Sequence, residues 1–143
     1  MSAGNAGTAD SKQHTDPGVL AGIRAHGVET YPHECCGALI ARDGRVTEAY
    51  PLPNTTDAGA RRRFRISPSD YRLAEARADA AGATLAGFYH SHPDHPAEPS
   101  AHDLELAWPN FIYVIVSVRA GTAGDLTAWR LRDDRSGFDR GDF

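Results

Sequence analysis

Apolar positions fall along this chain in short segments of distinct period, separated by glycine, proline and polar residues. Residues 1–16 are polar and rich in small side chains, so a flexible leader is expected there. Asp16-Pro17 then offers an N-cap and a first-turn proline, and Val19, Leu20 and Ile23 form the apolar face of a helix that should stop near Gly27. Residues 37–41 and 46–50 flank Asp43-Gly44, a two-residue turn pair that predicts a hairpin. Residues 51–60 read as loop and Phe64-Arg65-Ile66 as a short strand. Ser67-Pro68 opens an alanine-rich second helix through about Ala81, with Ser67 and Asp70 at capping spacing and Gly82 ending it. Residues 84–90 predict a short, largely buried strand. Residues 111–118 are apolar enough to lie inside a sheet, and 126–131 should pair beside them through a glycine-containing turn. The last eleven residues, 133–143, are charged and expected to be loose.

This order predicts an α/β fold, a mixed and curved β-sheet with helices packed on it, in a single domain over 17–132. A chain of 143 residues that is 41% hydrophobic and 24% charged can bury one compact core. A net charge of -4 argues against general nucleic-acid or anionic-membrane binding. Arg61-Arg62-Arg63 is a local exception, readable as a solvated loop or as a landing point for an acidic partner. No apolar stretch approaches the ~18 residues of a membrane span, and the first residues lack the apolar core of a secretory signal, so a cytoplasmic setting is expected. Cys35 and Cys36, the only cysteines, are adjacent. They suit a reducing compartment and read as buried strand residues, not as a redox pair.

The candidate chemistry lies in residues 90–103. His90-Ser91-His92-Pro93 sets two imidazoles two residues apart, on one side of a strand. After a loop with three prolines, Ser100-Ala101-His102-Asp103 reads as a helix start that can aim Asp103 back at the histidines. Two histidines and a carboxylate supply the three donors of a hydrolytic zinc site, which keeps its fourth position for water. Each feature also has an ordinary reading: Ser100 and Asp103 as a helix cap, the histidines as surface groups. Glu34, between the first helix and the apolar run that begins at Cys35, is placed to act as general base.

Glu34, His90-Ser91-His92-Pro93, the seven residues that separate His92 from Ser100, and the two that separate Ser100 from Asp103 reproduce a known pattern. The chain resembles the JAMM (MPN+) metalloprotease family, in particular its small prokaryotic single-domain members. The likeness extends from about Val19 to Leu131, through Pro32-His33-Glu34-Cys35-Cys36-Gly37, the Asn54 region and Phe64-Arg65-Ile66-Ser67-Pro68. It implies a cytidine-deaminase-like JAMM/MPN fold, zinc on His90, His92 and Asp103, and Glu34 as base. It implies further that Ser100 donates a hydrogen bond to the tetrahedral oxyanion and that Asn54 contacts the substrate tail, although Asn54 after Pro53 also reads as a turn residue. The implied reaction is cleavage after the terminal Gly-Gly of a ubiquitin-like or sulfur carrier protein, whose extended tail would add to a sheet edge.

Three rivals stand beside this reading. A zinc deaminase needs a His-x-Glu and a Cys-x-x-Cys that the chain lacks. A non-catalytic MPN-type binding scaffold would have lost its ligands. A peptidoglycan or phage-tail-associated peptidase would suit a secreted or cell-wall-attached chain. His14, His26, His95 and His102 lie off the pattern and are expected at the surface. Asp94 and Glu98 are expected at the mouth of the cleft, and Trp108 in the core. Oligomeric state is left open.

Overall fold

The computed structural model describes residues 14–57 and 59–142. They form three helices, α1 (Pro17–Thr30), α2 (Pro68–Ala80) and α3 (Ala101–Leu106), and seven strands. The strands are β1 (His14–Thr15), β2 (Cys36–Arg42), β3 (Arg45–Leu52), β4 (Thr84–Pro93), β5 (Ile112–Arg119), β6 (Thr122–Leu131) and β7 (Phe138–Gly141). They make one sheet in the order β1-β3-β2-β4-β5-β6-β7. It is mixed: β1/β3 and β4/β5 are parallel, the other pairs antiparallel. Among the described residues no helix is long and apolar enough to cross a membrane.

Each face of the sheet has its own core. Val19 and Ile23 of α1 pack with Leu39, Tyr89, Val114, Val116 and Val118 on one face. On the other, Ala74 of α2 joins Ala38, Leu52, Phe88, Ala107, Tyr113 and Leu131. The β2–β3 hairpin turns at Asp43 (φ 53°) and Gly44 (φ 78°), the two left-handed residues of a tight primed turn. Helix α1 continues past Gly27, because that glycine is a packing contact and not a stop. A Cβ there would lie 3.0 Å from Val118 Cγ2 and 3.3 Å from Val116 Cγ1. Asp16 does not cap α1 with its side chain; its carboxylate pairs with Arg45 at 2.8 Å.

Several expectations are corrected. Residues 1–13 of the expected leader lie outside the described residues, but His14–Thr15 pairs in parallel with β3. Phe64-Arg65-Ile66 is irregular, since the Arg65 backbone is tied to Asn54 and Thr55 and not to a sheet ladder. The expected loose tail contains β7, which pairs with β6. Phe138 packs edge-on to Tyr113 at 5.9 Å, while Asp139 meets Arg132 at 2.9 Å and Arg140 covers the Trp129 ring at 5.5 Å. Charged residues are normal on an edge strand, where one side faces solvent.

Gly87 is the tightest point in the β4/β5 pairing: a Cβ there would fall 1.9 Å from the Ile112 carbonyl oxygen. Backbone cannot yield as a flexible side chain does. Gly87→Ala is expected to destabilise the fold by about 3 kcal/mol or more, a fall in Tm of roughly 6–12 °C, checked by thermal unfolding followed by circular dichroism.

Candidate metal centre

Side chains alternate along β4, so Phe88, His90 and His92 face the α2/α3 side while Tyr89 and Ser91 face α1. His90 is flanked by Cys36 of β2 and Ile115 of β5. Ser91 fastens the next step of the ladder: its N–H donates to Cys35 O at 3.2 Å and its hydroxyl accepts Cys35 N–H at 2.8 Å. Continuing the register by two residues sets Glu34 opposite His92.

The donor atoms of His90, His92 and Asp103 converge. His90 Nε2 and His92 Nε2 are 3.1 Å apart, and Asp103 Oδ2 lies 3.2 Å from the first and 3.1 Å from the second. All three side chains are at most 8% exposed. His92 Nδ1–H donates to Pro96 O at 2.7 Å, which directs the lone pair of the neutral ring onto Nε2. Two nitrogens and a carboxylate oxygen so placed could hold a metal ion between them. In a tetrahedral zinc site with bonds of about 2.0–2.1 Å, neighbouring donors stand roughly 3.3 Å apart, so these residues fit such an ion.

Asp103 is held by the start of α3. Its Oδ2 accepts Ser100 N–H at 2.9 Å, and Ser100 Oγ accepts Asp103 N–H at 3.0 Å, a complete capping box. The two readings of Ser100 and Asp103 are therefore one structure, in which the cap aims the ligand. Burial alone would raise the Asp103 carboxyl; the charge of His90 and the bonds from His90, His92 and Ser100 overcome it and hold the group well below the usual carboxylate range. The Ser100 hydroxyl accepts one bond and keeps its own hydrogen to donate. Phe64 stacks on the His90 ring at 4.5 Å.

Glu34 is 3% exposed and its Oε1 has no hydrogen-bond partner among the described residues. Burial pushes its carboxyl up to about 8, with His92 lowering and Asp103 raising it. Glu34, His92 and His95 bring their ligand atoms within 4.8 Å of one another. His95, expected at the surface, is half-buried and stacks on His92 at 4.1 Å, with Nδ1–H donating to Pro93 O at 2.9 Å. The one cue to this in the sequence was the proline on each side of Asp94-His95, which folds the loop back.

Asn54 lies behind Glu34. Its Nδ2 donates to Glu34 O at 3.1 Å and Arg63 O at 3.0 Å, while Oδ1 accepts Thr56 N–H and Arg65 N–H, both at 3.1 Å. The amide is thereby saturated by backbone, the turn role that stood beside tail contact. Cys35 and Cys36 are buried, free thiols pushed up to about 11 and about 12 by burial. His26 is half-buried with Nδ1 2.7 Å from Tyr89 Oη. Asp94 is exposed and accepts Tyr31 O–H at 2.6 Å. Trp108, expected in the core, is 48% exposed. The centre lies on inner strand β4, which is paired on both sides, by β2 and β5.

Residues 16–132 match the family described as prokaryotic homologs of the JAB domain. The chain belongs to that family. This JAB domain is 36% identical over 102 residues to a desampylase of Haloferax volcanii, covering 69% of this chain and 73% of the relative. It is 38% identical over 81 residues to tail tip assembly protein K of Escherichia phage N15, covering 57% of this chain and 30% of that protein. A CysO-cysteine peptidase of Mycobacterium tuberculosis is 28% identical over 110 residues, 76% and 75% of the two chains. The fold is shared with a JAB1/MPN domain protein of Archaeoglobus fulgidus at a TM-score of 0.60 and 20% identity, over 91% of this chain and 95% of that one.

Proposed function

We propose that this JAB domain is a zinc metallopeptidase or isopeptidase that hydrolyses the bond after the C-terminal Gly-Gly of a ubiquitin-like or sulfur carrier protein. The observation that carries the reading is the convergence of His90 Nε2, His92 Nε2 and Asp103 Oδ2 within 3.1–3.2 Å beside a buried carboxylate with an unpartnered oxygen. The desampylase and CysO-cysteine peptidase relatives support a tail of that kind as substrate. Zinc held by His90, His92 and Asp103 would polarise the scissile carbonyl and lower the pKa of water to roughly 7. Glu34 takes the proton of the attacking water and returns it to the departing amine. The C–N bond breaks, the glycine carbonyl carbon gains the hydroxyl and leaves as a carboxylate. Ser100 turns its free hydroxyl hydrogen toward the oxygen that gains charge, a contact whose loss costs on the order of 2.7–4 kcal/mol in comparable sites. Pro96 holds the His92 ring, and Asn54 holds the Glu34 backbone.

The test is intact-mass analysis of a Gly-Gly-tailed sulfur carrier protein with a short C-terminal extension, incubated with the zinc-loaded chain and with the chelator-treated chain. Loss of the extension at the Gly-Gly boundary with the loaded chain alone is the expected result. The match to a phage tail-tip protein favours a second reading, a peptidoglycan peptidase. A muropeptide run in parallel decides between them: its cleavage, with the carrier untouched, would replace the Gly-Gly reading.

A further inference from the structure

A cavity of about 180 Å³ opens directly beside the metal centre. His90 and Asp103 form part of its wall, and Tyr71, Phe88, Leu106, Trp108, Tyr113 and Phe138 are among the apolar and aromatic residues that line the rest. An apolar cavity of about 150 Å³ is large enough to hold benzene, so this one has room for an aromatic or branched aliphatic side chain. Its wall offers little to a polar guest: Tyr113 Oη is already engaged by Trp108 N–H at 2.7 Å. At the mouth, Leu106 is 44% and Trp108 48% exposed, two large apolar side chains left open close to Asp103 in the chain. Arg65, an exposed residue on the same lining, is the one Lys or Arg there among the described residues.

We propose that this cavity is the subsite for the first residue after the cleaved bond, and that it selects a large apolar side chain there. The proposal rests on the Gly-Gly reading above. Two glycines before the bond carry no side chain. In extended chain, at about 3.3–3.6 Å per residue, the nearest upstream side chain then lies roughly 7–10 Å from the reacting carbonyl. The residue after the bond has its Cα only about 3.8 Å from that of the last glycine. A cavity that shares two wall residues with the donor cluster lies within the shorter reach. A charged side chain would be stripped of water there with few partners, which disfavours it. The favoured substrate is then a carrier extended by a peptide that begins with an aromatic or aliphatic residue, and a lone cysteine fills the cavity poorly.

The experiment uses the zinc-loaded full chain and a carrier tail ending in Gly-Gly-X-Ser-Ser, with X as Phe, Leu, Cys, Ala or Glu, and reads kcat/KM by intact mass. Phe and Leu are expected to exceed Ala and Glu by at least about 10-fold, within the range that apolar pockets achieve. Glu is the stringent comparison because Arg65 is at hand to favour it. Trp108→Ala and Leu106→Glu, both at exposed positions, should each pull the Phe-to-Ala ratio toward one, with circular dichroism and Tm close to the parent's showing that the fold is kept. Equal cleavage of all five tails overturns the proposal. So does selectivity that follows the residue before Gly-Gly instead of X. If no tail is cut, the Gly-Gly reading itself fails and takes this proposal with it, an outcome distinct from unselective cleavage.

Discussion

Glu34→Gln is expected to lower kcat by about 10³–10⁴-fold, at the upper end of what general acid–base catalysis supplies, while one equivalent of zinc stays bound. Glutamine keeps the shape of the side chain and removes its capacity to take a proton. The variant should also change stability in a direction opposite to most active-site lesions. In metal-free protein, burial raises the Glu34 carboxyl from 4.5 to about 8. Between those values the folded state holds a proton that the unfolded chain has released, so stability falls as pH rises through that window and levels off above it. The loss is a few kcal/mol at most, taking about 1.4 kcal/mol per pH unit as an upper bound. Glutamine cannot ionise. Chelator-treated Glu34→Gln should therefore match the parent near pH 5 and unfold at a higher temperature than the parent at pH 8.5. Metal analysis, a single-turnover assay and thermal melts at the two pH values check the three statements. Near-parental turnover would remove Glu34 from the role of base.

Asp103→Ala should abolish metal retention and turnover together. Removing the carboxylate leaves His90 Nε2 and His92 Nε2 as the remaining donors of the cluster, and a loss of zinc affinity beyond about 100-fold is expected, exceeding the 10–100-fold typical of changes to groups behind the ligands. A separate, metal-independent cost arises because Ser100 N–H loses its acceptor, on the order of 1 kcal/mol for a helix start. The two effects separate in a chelation experiment. The parent's melting temperature should drop on chelation, whereas that of Asp103→Ala should start lower and not respond. A variant that still holds one zinc after dialysis would take Asp103 out of the ligand set.

What the sequence made legible was local. The Asp43-Gly44 turn, the period of β4 and the spacing from Ser100 to Asp103 are set by neighbours in the chain, and each is found where backbone geometry puts it. Less legible were features decided by contacts between distant segments. Gly27 reads as a helix stop until β5 is packed against it. Phe64-Arg65-Ile66 has strand composition, yet the saturated amide of Asn54 captures its backbone. β7 is hidden by its charges, which an edge strand tolerates. His95 and Trp108 escape sequence reasoning for the same reason: the first is turned inward by a proline-bounded loop against His92, the second outward at a cavity that exists only once α2, α3 and the sheet meet.

The three donors do not rest on equally firm ground. His90 and His92 stand on β4, which is paired on both sides near the middle of a seven-stranded sheet, where amides exchange only when the whole domain opens. Asp103 stands on a helix of six residues, none of them buried as a whole although the Asp103 carboxylate points inward, and such a helix is too short to persist by itself. Mild stress will therefore release the centre from one side: α3 frays, the carboxylate swings away, and the imidazole pair stays in register on an intact sheet. Reloading then requires only that one turn of helix re-form, so inactivation by gentle heating or brief chelation should reverse quickly, long before any strand has to be rebuilt.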